Sequence, residues 1–300
     1  MGNGEPVRAA SEPNSDYTRT WSSSGEIEYA KLADGTRLRY LKVGSGPRAL
    51  ILLHTVRTQL DHFQLVIPRI LHAFTVYAID LPGMGWSDIR PGASYTEPAL
   101  RRALVEFVTT LRITDVILAG ESMGATVSLT ASTELEGRVR HVVAFNPYDY
   151  PQGVGRANPV ASIYIGSARL PAIGPVVTRM ENKPMLGIVL SGGLLDGSNL
   201  PDHYLGELRR VGRRRGYPRV AREVYRNVDS MIAARALYGR VSAPMTLIYG
   251  DHDWSRVPER DANLALLPGA RSISLADTGH FAALEQPDRV AEILLDHTGA

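Results

Sequence analysis

Residues 116–124 read Val-Ile-Leu-Ala-Gly-Glu-Ser-Met-Gly, an apolar run that ends in the pattern Gly120-x-Ser122-x-Gly124. This pattern is typical of an α/β protein in which a buried strand turns sharply into a helix, with the serine at the apex. Glycines suit the flanking positions because a Cβ there would collide with neighbouring atoms. The pattern also occurs in ordinary turns, and its place directly after a strand is what indicates a nucleophile at Ser122.

The rest of the chain alternates between strand and helix patterns. Glu26–Leu32 and Thr36–Val43 flank Asp34-Gly35, which is a hairpin signal. The further predicted strands are Ala49–Leu53, Phe74–Ile79, Val116–Ala119, Val139–Phe145, Met245–Tyr249 and Ile273–Leu275, and the predicted helices are Gln59–Ala73, Pro98–Leu111, one after Ser122, Glu259–Leu267 and Pro287–His297. Continuous apolar runs are expected of parallel strands buried on both faces. The pattern therefore predicts an α/β fold with a mostly parallel, doubly wound sheet.

One long insertion interrupts this alternation. Residues 148–241 show Gly- and Pro-punctuated helical segments without a strand–helix repeat. We expect them to form a helical cap inserted after strand 6, over the carboxyl ends of the strands, where α/β sheets bind ligands. Residues 25–147 and 242–300 would form the core, and the polar residues 1–24 a disordered arm.

The composition narrows the possible partners. Lys and Arg number 33 against 31 Asp and Glu, so the net charge of +2 gives no reason to expect nucleic acid. Cysteine is absent, which excludes disulfides, thiolate metal sites and a cysteine nucleophile. No apolar run is long enough for a membrane span, and the N-terminus lacks a signal-peptide core. We expect a cytoplasmic protein that acts on a small molecule, with no membrane partner, cofactor or metal. The oligomeric state stays open.

A serine nucleophile needs a base, and the base needs an orienting acid. His280 follows the last predicted strand in the segment Asp277-Thr-Gly-His-Phe281, and is the predicted base. Asp253 follows the strand Met245–Tyr249 and is the predicted acid; Asp149 is the reserve. Asp251 would point to the opposite side of the loop. The alternative is that the loop aspartates only cap the next helix.

From about residue 25 onward the chain resembles an α/β-hydrolase. Four segments carry the resemblance, in the order in which that family has them: Leu52-Leu53-His54, Asp80-Leu-Pro-Gly-Met-Gly-Trp-Ser-Asp88, Gly120-Glu-Ser-Met-Gly124, and Gly250-Asp-His-Asp253 with Gly279-His280-Phe281. Serine at the apex separates the chain from dehalogenase and epoxide-hydrolase relatives, which have aspartate there. The resemblance implies an oxyanion hole formed by the backbone N–H groups of Met123 and Val56. Relatives read His-Gly-x where this chain has His54-Thr55-Val56, so the second donor depends on how the loop accommodates Thr55.

Arg57 follows directly. It could bind a substrate carboxylate through paired hydrogen bonds, or it could form a structural ion pair with a carboxylate such as Asp61 or Asp80. The sequence predicts a cofactor-free serine hydrolase that cleaves an ester, thioester or lactone, with Ser122 as nucleophile. Two alternatives remain: a C–C bond hydrolase acting on a diketo-acid substrate, in which Arg57 would have a role, and a non-hydrolytic binding protein or cyclase on the same fold.

Overall fold

The apolar runs of the sequence form one eight-stranded sheet. The computed structural model describes residues 17–297. The strands are β1 (Glu26–Lys31), β2 (Arg37–Val43), β3 (Arg48–Leu53), β4 (Phe74–Ile79), β5 (Val116–Glu121), β6 (Val139–Phe145), β7 (Met245–Gly250) and β8 (Arg271–Leu275). Their spatial order is β1-β2-β4-β3-β5-β6-β7-β8. Only β2 pairs antiparallel, with β1 and β4, and the other pairs are parallel. The predicted fold class is confirmed.

Helices cover both faces of the sheet and fill the insertion. They are α1 (Tyr17–Trp21), α2 (Ile67–Ile70), α3 (Glu97–Thr110), α4 (Met123–Ser132), α5 (Pro159–Arg169), α6 (Gly174–Met180), α7 (Lys183–Ser191), α8 (Asp202–Gly212), α9 (Tyr217–Arg226), α10 (Asp229–Ala233), α11 (Val257–Leu266), α12 (Ala282–Glu285) and α13 (Pro287–Leu295). Short 3-10 turns occur at Leu60–Phe63, Val154–Arg156, Gly197–Asn199 and Ala234–Arg240. No helix within residues 17–297 has the length and apolar character needed to span a bilayer.

The centre of the sheet is buried on both faces. Every residue of β5 and of β7 is buried, because helices pack on the two sides of these strands. Each fully buried aliphatic side chain contributes about 1.5–3 kcal/mol relative to an exposed one. This rigid centre fixes the carboxyl ends of β5 and β7, where the predicted nucleophile and acid follow.

Residues 59–73 do not form the single helix that their spacing predicts. The chain instead makes a 3-10 turn at Leu60–Phe63 and the short helix α2. The side chains of Asp61 and His62 are buried in polar contacts with other parts of the chain, and Pro68 lies in the first turn of α2. Proline has no N–H to donate within a helix and is tolerated in the first turn. A new helix therefore begins near Pro68, and the segment forms two short elements.

Part of the segment predicted as a disordered N-terminal arm has a defined structure. Residues 1–16 lie outside the described residues, but Tyr17–Trp21 forms a helix. Thr18 donates a hydrogen bond to Asp61 (2.7 Å), and the Trp21 indole donates to the same carboxylate (2.8 Å). These contacts satisfy a buried carboxylate, and they explain why this polar segment is ordered against the core.

Between β6 and β7 the chain contains only helices and turns. The predicted insertion, residues 148–241, holds α5 to α10. Helix α5 packs on α6, α7 and α9, so these four helices form one packed unit.

Candidate active site

Ser122 lies at the sharp turn between β5 and α4. Its backbone has φ 58° and ψ −117°, a conformation that side-chain-bearing residues rarely adopt. A Cβ on Gly120 would lie 2.4 Å from the backbone of Gly124, and one on Gly124 would lie 2.2 Å from the carbonyl oxygen of Leu53. Both positions therefore require glycine, and the turn holds the Ser122 side chain in a fixed direction.

Ser122, His280 and Asp253 form one hydrogen-bonded line. The Oγ of Ser122 is 2.8 Å from Nε2 of His280, and Nδ1 of His280 contacts Oδ1 of Asp253. The side chains of His280 and Asp253 are buried from solvent. Asp253 lies 27 positions and Ser122 158 positions before His280 in the sequence. The carboxyl ends of β5, β7 and β8 bring the three residues together.

The carboxylate of Asp253 is held in its ionised form. Burial alone would raise the pKa of this group, but the charge of His280 and hydrogen bonds from His280 and Ser255 lower its pKa overall. Ser255 donates both its backbone N–H (3.0 Å) and its hydroxyl to Oδ2. A charged carboxylate with both oxygens occupied can orient the imidazole and stabilise its protonated form.

The two other candidate acids lie elsewhere. Asp251 is exposed and accepts the backbone N–H groups of Asp277 and Thr278, each at 3.1 Å. Asp149 is buried, accepts hydrogen bonds from Tyr238 (2.5 Å) and Asn263 (2.9 Å), and burial raises its pKa to about 6. Neither contacts His280, so both are structural in their observed surroundings.

Trp254 is a neighbour of the site that the sequence patterns did not single out. Its ring stacks on the imidazole of His280, with centroids 3.8 Å apart and planes inclined by 14°. Its indole N–H donates to the carbonyl oxygen of Gly192 in the inserted segment (2.9 Å). Its position directly after Asp253 was the available signal, but sequence alone does not give the ring orientation.

Two backbone N–H groups next to Ser122 are free. Neither Met123, the first residue of α4, nor Val56 donates a backbone hydrogen bond to any of residues 17–297, and both residues border the small cavity at Ser122. The loop before Val56 is fixed by His54, whose Nδ1 contacts the carbonyl oxygen of Thr55 (2.7 Å) while Nε2 accepts the N–H of Leu81 (3.0 Å). Burial lowers the pKa of His54 to about 4, which keeps this ring neutral.

The cavity at Ser122 has apolar walls. Its volume is about 20 Å³, enough for a single water molecule. Its lining is Val56, Ser122, Met123, Tyr148, Val154, Val224, Tyr225, Val228 and Met231. A larger pocket of about 230 Å³ shares Tyr148, Val154, Tyr225 and Val228 with this cavity. The two cavities therefore adjoin at these four side chains.

Arg57 is buried in an ion pair across the core–insertion boundary. Its guanidinium pairs with Glu181, which also accepts a hydrogen bond from the Tyr164 hydroxyl (2.7 Å). The guanidinium carbon lies 4.9 Å from the centre of the Tyr217 ring. Nε and Nη1 of Arg57 have no hydrogen-bond acceptor among residues 17–297, and Arg57 does not line the cavity at Ser122. The structural alternative fits this arrangement, with one correction: the partner is Glu181.

The two carboxylates proposed as partners of Arg57 bond other residues. Asp61 accepts hydrogen bonds from Thr18 and Trp21, and Asp80 pairs with the buried Arg39 at 3.0 Å. Asp80 also accepts the backbone N–H of Trp86 (2.8 Å). Asp80 thereby anchors the turn that the segment Asp80–Asp88 makes beside the site.

One group of side chains within residues 17–297 could hold a metal ion. Asp251, His252 and Asp277 are all exposed, with ligand atoms within 4.8 Å of one another. Sequence spacing did not reveal the group because Asp277 follows a different strand. The hydrogen bonds from Asp277 and Thr278 to Asp251 already account for this arrangement.

Comparisons with known proteins agree with this architecture. The chain is 23% identical over 97% of its length, and over 74% of the relative, to a dihydrolipoyllysine-residue acetyltransferase component of an acetoin cleaving system from Cupriavidus necator. It is 24% identical to the uncharacterized hydrolase YugF of Bacillus subtilis, covering 84% of this chain and 90% of YugF.

Solved structures share the fold at low sequence identity. Cfl2 of Burkholderia cenocepacia has a TM-score of 0.79 at 20% identity, covering 91% of this chain and 95% of Cfl2. A meta-cleavage product hydrolase of Pseudomonas fluorescens has a TM-score of 0.73 at 16% identity, covering 90% and 96%. The profile of the alpha/beta hydrolase family matches residues 50–293. The chain therefore belongs to the alpha/beta hydrolase family.

Proposed function

We propose that this protein is a cofactor-free serine hydrolase that cleaves a carboxylic ester, thioester or lactone. The observation that carries the proposal is the line Ser122–His280–Asp253, with a 2.8 Å contact between Ser122 Oγ and His280 Nε2. Val56 and Met123, whose backbone N–H groups donate to no acceptor among residues 17–297, line the cavity next to that hydroxyl. A nucleophile, its base, an orienting acid and oxyanion donors are the parts that acyl transfer requires.

The proposed reaction has two halves. Ser122 Oγ attacks the carbonyl carbon while His280 Nε2 takes the hydroxyl proton, and the N–H groups of Val56 and Met123 bind the resulting oxyanion. Collapse of this intermediate breaks the acyl–oxygen or acyl–sulfur bond, and His280 returns the proton to the leaving group. Water then attacks the acyl-Ser122 ester with His280 again as base, and the acid product leaves. Asp253 stays ionised throughout and holds the imidazole in position.

The apolar cavity favours the ester proposal over a C–C bond hydrolase. A diketo-acid substrate carries a carboxylate near the reacting carbon, and a cation is needed to bind it. Among residues 17–297 no cationic side chain lines the cavity at Ser122, and Arg57 is paired with Glu181. Arg169 lines the adjoining larger pocket, where it pairs with Asp229. A non-hydrolytic binding protein is less favoured, because such a role gives no reason to hold Ser122, His280 and Asp253 in hydrogen-bonded contact.

A serine-reactive fluorophosphonate probe and p-nitrophenyl esters test the proposal together. We expect the wild type to be labelled and to turn over the esters, and Ser122→Ala to lose labelling and several orders of magnitude in kcat. Ser132→Ala is the matched control, since Ser132 is a buried serine at the last position of α4 whose hydroxyl donates to the carbonyl oxygen of Leu129. Activity of Ser122→Ala within tenfold of wild type, with an unchanged melting temperature, would refute the serine mechanism.

A further inference from the structure

Exposed apolar side chains are concentrated on one part of the inserted segment. Eight of the eleven large apolar residues that are exposed within residues 17–297 lie between positions 160 and 195. They are Val160, Ile163, Leu170, Ile173, Val176, Met180, Ile188 and Leu195. Ile163 is 71% exposed and Met180 73%. Scattered apolar residues are normal on a protein surface, but a concentration of this kind marks an interaction surface.

Helical spacing places these residues in stripes. Val160 and Ile163 share one face of α5, and Val176 and Met180 share one face of α6, because residues three or four apart are neighbours on a helix. The opposite side of α5, with Ala161, Tyr164 and Ala168, is buried against the rest of the insertion. Since α5 packs on both α6 and α7, the outer stripes belong to one layer, which we call the α5–α7 face.

Residues 159–191 contain three basic residues and one acidic residue. The acidic residue within positions 159–191 is Glu181, which is buried against Arg57. Arg169, Arg179 and Lys183 lie on the same helices. Arg169 pairs with Asp229 and Lys183 with Asp202, both outside these helices. Arg179 is exposed and makes no ion pair within residues 17–297. The face thus combines apolar stripes with one cation, Arg179, that has no ion-pair partner within residues 17–297, and the exposed carboxylates that pair with Arg169 and Lys183 come from neighbouring segments.

We propose that the α5–α7 face docks on an anionic lipid surface. Apolar side chains at the acyl boundary and basic side chains at the headgroups are the pattern of helices that lie on such membranes. A second copy of the chain fits less well, because residues 159–191 offer no exposed carboxylate to pair with Arg179 across a two-fold contact. The sequence analysis predicts no membrane partner because no apolar run is long enough to span a bilayer, but peripheral docking does not require such a run.

The docked face lies beside the route to Ser122. Helix α5 contributes Ser162, Ile165, Gly166 and Arg169 to the 230 Å³ pocket that adjoins the cavity at the serine. A lipid surface on the outer stripe of α5 would therefore adjoin the pocket, and an ester dissolved in the lipid could enter directly. This delivery step rests on the proposed hydrolase function, whereas docking itself does not.

Flotation with vesicles tests docking without reference to catalysis. We expect the wild type and Ser122→Ala to float with phosphatidylcholine vesicles that contain phosphatidylglycerol, and less as salt is raised, because attraction to anionic lipid is screened. The double variant Ile163→Ser/Met180→Ser should lose at least about tenfold in partitioning, because lipid binding scales with buried apolar area. Arg179→Glu should weaken binding to the anionic vesicles. The control Val257→Ser/Leu266→Ser removes two exposed apolar residues of α11, outside the face, and should float as wild type.

Failure to float with the anionic vesicles, or equal flotation with pure phosphatidylcholine, would overturn the proposal. Light scattering of the lipid-free protein tests the alternative that the α5–α7 face binds a second copy of the chain. A wild-type dimer that Ile163→Ser/Met180→Ser converts to a monomer, without lipid binding by the wild type, would assign the face to a second copy. Loss of ester turnover in Ser122→Ala with flotation retained keeps the docking result separate from the proposed catalytic mechanism.

Discussion

Asp251 and Asp253 are two residues apart but have opposite surroundings. Asp253 is buried and contacts His280, whereas Asp251 is exposed and accepts two backbone N–H groups. We expect Asp253→Asn to lower kcat by several orders of magnitude, because an amide stabilises the wrong imidazole tautomer. Asp251→Asn should retain activity within about tenfold. Rates of ester hydrolysis by the purified variants test this comparison. A larger loss of kcat in Asp251→Asn or in Asp149→Asn would show that Asp253 is not the orienting acid.

The buried carboxyl of Asp149 gives stability a distinct pH dependence. Burial raises its pKa to about 6 from the ordinary 3.8. Between those values the folded state binds more protons than the unfolded state, so this group makes stability fall as the pH rises from about 4 to about 6. A shift of this size corresponds to about 3 kcal/mol. Asp149→Asn should therefore become more stable, relative to wild type, as the pH is raised through this window.

Urea denaturation at several pH values measures this difference. Comparison of variant with wild type is needed because His54 acts in the opposite direction. The pKa of His54 is lowered to about 4 by burial, so its contribution to stability is lost as the pH falls from about 6.5. A stability difference between Asp149→Asn and wild type that does not change with pH would show that Asp149 is not held protonated.

At the scale of secondary structure, the contact between β3 and α4 decides whether the turn at Ser122 can form. A Cβ on Gly124 would lie 2.2 Å from the carbonyl oxygen of Leu53 and 2.7 Å from that of His54. Because both atoms belong to the backbone of a central strand and the loop after it, they cannot move aside cheaply. We expect Gly124→Ala to lose about 3 kcal/mol or more of stability and to abolish ester turnover.

Gly206→Ala is the matched control for this substitution. Gly206 lies within α8, and a Cβ there meets nothing within 4 Å. Alanine should gain about 0.5–1 kcal/mol at this position, because glycine is the poorer helix former. Melting temperatures of the two variants test the pair, and similar values would mean that the close approach of α4 to β3 is not needed.

At the scale of the whole molecule, one buried ion pair joins the core to the insertion. Arg57 follows Val56 with a left-handed backbone (φ 62°), and its partner Glu181 lies 124 positions later. Removal of one member leaves an uncompensated buried charge, which typically costs about 3–5 kcal/mol. We expect Arg57→Met to lower the free energy of unfolding by that amount, and Arg57→Met/Glu181→Met to recover most of the loss.

The same variants separate a structural from a substrate-binding role. If Arg57 holds the loop and the insertion together, Arg57→Met should reduce kcat/KM equally for substrates with a free carboxylate and for their neutral methyl esters. A selective loss for the acids, without loss of stability, would instead assign Arg57 to substrate binding and favour the C–C bond hydrolase.

The outline of the fold followed from local patterns. Runs such as Phe74–Ile79 and Val139–Phe145 matched the observed strands residue for residue, because parallel strands that are covered on both faces are mostly apolar. The single helix predicted over residues 59–73 was wrong. The apolar residues at helical spacing there belong to two separate short segments, and the spacing does not reveal the buried polar contacts of Asp61 and His62.

The sequence by itself determined which residues meet at the site. Ser122, Asp253 and His280 each follow a strand of one parallel sheet, and the carboxyl ends of parallel strands lie at a common edge. Only the tertiary structure decided what surrounds them: Trp254 stacked on His280, Glu181 opposite Arg57, and an apolar cavity with an exposed apolar face nearby. These features depend on packing between segments that no local signal connects. A strand and the turn after it can be predicted from neighbouring residues. Contacts between side chains far apart in the sequence depend on how the helices of the insertion pack against the core.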